Sequence, residues 1–322
     1  MTDEDDRALL VRMGLVPVDP ADAADDATFV PLTGGVSSDI RLVRIGGRTV
    51  VLKRALAQLK VDAEWSAPIE RGEAEARWLR YAATVVPDAV PKVLATDDAS
   101  YAIALEYLAP EQYPNWKTQL LAGDVDAGTA AAVGRMLGRI HSASAAASDL
   151  AADFANDDLF ESLRIEPYLR RTADAVPEAT DAIEEVIALL QSNRRALVHG
   201  DVSPKNILIG AASPVLLDAE CATWGDPAFD VAFCLNHLVL KAVHLPELAA
   251  QFEFAADALR AAYLEQVDWE PGSDIDARID RILPALQLAR VAGASPVEYL
   301  DRRARATVRQ RALAALCPPT TV

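Results

Sequence analysis

The pattern of hydrophobic and polar positions changes character near residue 110. Before that point, three runs rich in β-branched residues (28–33, TFVPLT; 39–45, DIRLVRI; 48–55, RTVVLKRA) are divided by the turn formers Gly34-Gly35 and Gly46-Gly47. This pattern predicts an antiparallel meander. Good helix formers over 69–83 put Ala76, Leu79 and Ala83 on one face, which predicts a helix lying against that sheet. Two further strands are expected at 91–98 and 101–109. After the change, alanine-rich helical patterns run over 127–147, 159–173, 177–193, 229–242, 245–265 and from 274 onward. They are interrupted at 196–218 by short strands around a loop. The expectation is an α+β chain: a β-rich lobe over 1–106 and a mainly helical lobe over 107–322.

Composition narrows the functions open to such a chain. Its 322 residues, 51% hydrophobic, suffice for two packed lobes, and the formal net charge of −17 repels nucleic-acid backbones and anionic lipid headgroups. A polyphosphate ligand would therefore need a local pocket of basic and backbone donors, helped by a metal ion. The three cysteines, Cys221, Cys234 and Cys317, have no CxxC spacing, which argues against a disulfide framework or structural zinc. The N-terminus is acidic where a signal peptide would be basic, and no run reaches membrane-spanning length. A cytoplasmic protein with no membrane partner is expected; the oligomeric state is not readable.

The densest chemistry lies in LVHGDVSPKNILI (197–209), followed by Asp218-Ala-Glu220. Phosphoryl transfer to an alcohol needs a carboxylate to orient the hydroxyl and take its proton, with oxygen ligands for Mg²⁺ on the phosphates. Asp201 at the loop tip suits the base, and Asn206 offers an amide oxygen. Asp218 and Glu220 alternate along a strand end, so both carboxylates are expected to face one site. HGDxxxxN followed by DxE resembles the catalytic loop and metal motif of the aminoglycoside phosphotransferase and choline kinase superfamily, which is related in fold to protein kinases.

The resemblance implies a protein-kinase-like fold with ATP between the lobes, Asp201 as catalytic base contacting the acceptor, and Asn206, Asp218 and Glu220 as Mg²⁺ ligands. It also implies that Asp230 braces the loop, with His199 supporting it. In the first lobe, Lys53 would meet the nucleotide phosphates, held by a glutamate from the next helix; Glu75 fits better by position than Glu73. The segment 33–39 would cover the nucleotide, with Gly34 and Gly35 supplying backbone donors and Ser37 and Ser38 hydroxyls, although it is neither a Walker A motif nor GxGxxG. Glu106 and Leu108 fall where the interlobe hinge would read adenine.

Asp226 is expected to cap the helix that follows, with Pro227 at its first position, and His141 to be a packed, hydrogen-bonded histidine. The acceptor that the resemblance implies is a small molecule with a hydroxyl. Residues 50–71 and the DxE form are similar to methylthioribose kinases, and 289–294 resembles a segment near their sugar site. Arg290 is thus a substrate contact or a helix-surface residue. Asn206 and the shorter chain depart from that group, which leaves aminoglycoside, choline or another amino alcohol as alternatives. Trp65, Trp116 and Trp224 offer faces to an alkylammonium group, though core packing is the commoner use. A nucleotide-binding pseudokinase that serves only as an interaction module would be favoured by loss of Lys53, Asp201 or Asp218; all three are present.

Overall fold

The structure, a computed structural model, describes residues 3–16, 27–32, 38–56 and 68–318. Gly34, Gly35, Ser37 and Trp65 lie outside them. The chain divides into two compact units, Met1–Ala109 and Pro110–Val322.

In the first unit, β1 (Thr28–Pro31), β2 (Ser38–Ile45), β3 (Arg48–Ala55), β4 (Val93–Asp97) and β5 (Ala102–Glu106) form one antiparallel sheet in the order β1-β2-β3-β5-β4. Strand alternation sends Val50 and Leu52 to one face, where they bury against Leu9 and Leu10 of α1 (Asp3–Arg12). The buried Asp6 carboxylate fixes α1 by meeting Arg41 and Arg54, each at 3.0 Å. Lys53 therefore points to the other face, which α2 (Arg71–Val85) covers. The buried stripe of α2 is centred on Glu75, Leu79 and Ala82. Ala83, expected on that face, is only half-buried, because the stripe is turned toward the glutamate that Lys53 requires.

The second unit holds α3 (Trp116–Leu121), α4 (Ala127–Ala145), two single-turn helices α5 (Leu150–Asp153) and α6 (Asp157–Phe160), α7 (Arg171–Ala175), α8 (Thr180–Ser192), α9 (Ala228–His244), α10 (Ala249–Leu264), α11 (Gly272–Ala292) and α12 (Arg302–Leu316). Its strands form two pairs, β6 (Ala196–Val198) with β9 (Thr223–Gly225) and β7 (Ile207–Ile209) with β8 (Pro214–Leu216). Helices α4 and α10 pack so closely that a Cβ at Gly134 would come 2.1 Å from the Leu259 carbonyl.

Three helical expectations are corrected. The helix expected over 159–173 contains a π-helical run, Glu161–Arg170, because Pro167 has no N–H to donate and cannot continue the α pattern. The one expected from 274 onward breaks after Ala292: Gly293 and Pro296 interrupt it, and Asp301 caps α12 by accepting from Ala304 N at 2.7 Å. Helix α9 starts at Ala228, with Pro227 in the cap position; Asp226 still accepts from Ala228 N at 3.0 Å.

Candidate active site

The catalytic-loop candidates gather on the β6–β7 connection. Gly200 carries φ +79°, and a Cβ there would lie 2.7 Å from the Cys221 carbonyl, so only glycine allows this turn. The fully buried Asp230 carboxylate of α9 accepts from His199 N at 2.7 Å and from Gly200 N at 2.8 Å. It also meets His141 Nε2 at 3.2 Å, and the other His141 nitrogen lies 3.1 Å from Tyr263 Oη. His199 Nδ1 accepts from Asp201 N at 3.1 Å, so its proton sits on Nε2, which donates to Leu217 O at 3.2 Å. Burial first, against the pull of Asp230 and Asp201, lowers the His199 pKa and keeps the ring neutral.

This turn holds the Asp201 carboxylate, which is nearly buried, beside Arg164 Nη2 at 3.0 Å and Lys205 Nζ at 3.2 Å. Burial opposes its charge, but the Lys205 ammonium and Arg164 guanidinium hold its pKa below the ordinary aspartate range, with Asp218 pushing the other way. Asp201 therefore stays ionised at neutral pH. Asn206 Nδ2 donates to Asp201 O at 3.0 Å, which turns the amide oxygen away from that bond.

The strand-alternation reading of Asp218 and Glu220 is corrected. β8 ends at Leu216, and Asp218 adopts φ +69°, outside extended geometry. Asp218 is half-buried and Glu220 nearly buried, the latter close enough to Arg164 to act on its charge. Among the described residues no group of three or more His, Cys, Asp or Glu side chains forms a ready cage for a metal. The donor set fits Mg²⁺ of the kind that takes one or two carboxylates and completes its octahedron with phosphate and water. Asp218 and Asn206 would hold it, with Glu220 as a further metal or water ligand.

Arg164 and Lys205 lay outside the sequence reading. Arg164 sits in the π-helical run, where the Leu163 carbonyl, deprived of an α-helical donor by Pro167, accepts from Arg164 Nη1 at 2.6 Å, while Nε donates to Gly200 O. The proline was the available signal. Lys205 lies inside the motif, its side chain 53% exposed.

Arg290 lines a cavity of about 130 Å³ together with Asp201, Lys205, Lys241 and Tyr299. Trp116 and Trp224 are buried and do not line it.

In the first unit Lys53 Nζ lies 2.6 Å from Glu75 Oε2, both buried, whereas Glu73 is exposed and 3.8 Å from Arg77. Ser38 is buried at the start of β2. Glu106 ends β5 and accepts from Lys92 N at 3.3 Å; Leu108, two residues on, is half-buried.

A five-stranded sheet carrying a buried Lys–Glu pair, and a helical unit carrying an Asp–Asn loop followed by a second carboxylate, are the parts of a protein-kinase-like fold. The chain belongs to the phosphotransferase enzyme family (APH), whose family model matches residues 28–270. It is 25% identical over 231 residues to a methylthioribose kinase of Bacillus cereus, covering 63% of this chain and 58% of that protein. It is 27% identical over 237 residues to that of Pectobacterium atrosepticum, covering 64% and 58%. The chain thus spans about 58% of the length of the curated relatives it matches.

Among solved structures, a choline/ethanolamine kinase family protein from Mesorhizobium loti is similar with TM-score 0.53 and 21% identity, covering 99% of this chain and 96% of that one. The amicoumacin kinase hAmiN, solved with AMP-PNP, Ca²⁺ and Ami, has TM-score 0.57 and 14% identity, covering 98% and 93%. These likenesses show the fold. No single helix among the described residues is long and apolar enough to cross a membrane.

Proposed function

We propose that this chain is an ATP- and Mg²⁺-dependent kinase that transfers the γ-phosphoryl group to a hydroxyl of a small molecule. The observation that carries the reading is the Asp201 carboxylate, kept ionised by Arg164 and Lys205 and tied through its own carbonyl to Asn206. Asp201 orients the acceptor hydroxyl and takes its proton as the oxygen attacks phosphorus. Lys205, 3.2 Å from Asp201, would stabilise charge that develops on the transferred group, and Lys53, fixed by Glu75, would serve the nucleotide phosphates. Mg²⁺, when bound, neutralises the phosphate charge.

The test is ADP release with ATP and Mg²⁺ over a panel of sugars, hydroxy acids, amino alcohols and aminoglycosides. Acceptor-dependent release, absent in Lys53→Met, is expected. Nucleotide binding without release for any acceptor would instead mark a binding module.

Asp218→Asn separates carboxylate chemistry from backbone strain, because asparagine tolerates positive φ whereas valine does not. Asn should fold normally but lose about 100-fold or more in kcat, with a higher Mg²⁺ requirement. Asp218→Val should also lower the melting temperature. An Asn variant with wild-type Mg²⁺ dependence would remove Asp218 from the metal set.

A further inference from the structure

Resting on the kinase reading, the geometry points to an acceptor that is a small hydroxyl-bearing anion: its carboxylate or phosphate sits on Lys241, Arg290 and Tyr299 while its hydroxyl faces Asp201. All four residues line one cavity within the second unit. Lys241, on α9, is 1% exposed, yet among the described residues its ammonium has only the His237 carbonyl at 3.4 Å and the Tyr299 ring at 5.1 Å. No carboxylate forms an ion pair with it among the described residues.

Two further donors there are buried without a hydrogen-bond partner, Tyr299 Oη and Arg290 Nε, although Arg290 Nη1 is satisfied by Ser295 and Tyr168. Buried donors rarely stay unpaired, and a buried ammonium without a counter-ion is costly. An ammonium, a guanidinium N–H and a phenol hydroxyl together ask for a group that only accepts, and that carries negative charge.

The remaining charges agree. Of the two carboxylates lining the cavity, Glu298 lies 2.5 Å from Lys117, and Asp201 is matched by Lys205 and by Arg164 behind it. Lys241 and Arg290 have no carboxylate at ion-pair distance among the described residues, and only Glu298, itself on Lys117, acts on them from further away, in a protein whose net charge is −17. Burial, with Lys117 next, pulls the Lys241 pKa down to about 7. The neighbouring His237 is driven well below its usual value by burial and then by Lys241, Arg290, Lys205 and Lys117. At about 130 Å³ the cavity is smaller than the roughly 300–1,000 Å³ of sites for drug-sized ligands, so it suits a compact acidic group. An alkylammonium acceptor would meet like charge.

Two readouts on the full chain test this. Thermal shift uses glycerate, gluconate and glycerol 3-phosphate against glycerol, ribose and choline; ADP release uses the same set with ATP and Mg²⁺. Anions are expected to stabilise the wild type and to be phosphorylated in preference to their neutral partners, with the glycerate and glycerol 3-phosphate arms separating carboxylate from phosphate. Lys241→Met should raise KM for the preferred anion roughly 10- to 100-fold with a smaller change in kcat, and should itself melt higher in the absence of ligand, since it removes an uncompensated buried charge.

Anions that stabilise the wild type but not Lys241→Met, with no acceptor turned over, would keep the anion site and sink the kinase reading. Preference for neutral or cationic acceptors, or the absence of any anion-dependent shift or turnover, would overturn the inference.

Discussion

Asp201→Asn should lower kcat by about 10²- to 10⁴-fold, the range for loss of a general base, while ATP with Mg²⁺ still shifts the melting temperature. Asparagine keeps the shape of the side chain and one acceptor but cannot take the hydroxyl proton. It also leaves Arg164 buried with its nearest counter-ion removed; the Gly200 and Leu163 carbonyls still accept from it, so the variant should fold with reduced stability. The sign with pH is fixed. Because the folded-state pKa of Asp201 is depressed, its pairing stabilises the fold at neutral pH, and that contribution is lost as pH falls through the folded value. The melting-temperature gap between wild type and Asp201→Asn should therefore narrow in acid. Turnover within tenfold of wild type would dismiss Asp201 as the base.

What could be read from the chain depended on whether chemistry was local. His199, Asp201 and Asn206 fall within one turn, so their order in sequence is nearly their order in space, and a glycine at 200 announces the positive φ. Asp218 was visible as a residue but not as a geometry, since the alternation expected of a strand ends when φ turns to +69°. Residues that act from other elements gave little signal. Arg164 and Lys241 sit in stretches that read as ordinary helix, and only tertiary packing shows that one reaches the Gly200 carbonyl and the other is sealed inside the cavity wall.

The helix α1 went unread because its low hydropathy hides a regular design, with four acids in the first turn and Arg12 in the last. Of the first unit's helices, α2 was legible in the chain, and position alone favoured Glu75 over Glu73 as the partner of Lys53; what the alanines did not show is that Glu75 sits at the centre of the buried face. The break after Ala292 was signalled by Gly293 and Pro296, whose effect an alanine- and arginine-rich sequence on either side obscures.

Removing the brace beneath the loop should cost stability before chemistry. Asp230→Ala leaves His199 N and Gly200 N, both buried, without their acceptor, and takes away the carboxylate that His141 meets. At about 1–3 kcal/mol for each unsatisfied buried group, a loss of roughly 3–5 kcal/mol is expected, a large share of the roughly 5–15 kcal/mol by which a typical domain is stable. Asparagine is no rescue here. One of its two terminal atoms is an NH₂, which would face a backbone N–H, so a donor meets a donor and Asp230→Asn should fall close to the alanine variant. Urea unfolding checks the size of the effect through the midpoint at unchanged slope. Kinetics below the melting transition check its nature: molecules that remain folded should retain more activity than Asp201→Asn, because Asp230 is fully buried and spends its oxygens on the turn's backbone and His141. A variant within about 1 kcal/mol of wild type would mean that the loop is held by something other than this carboxylate.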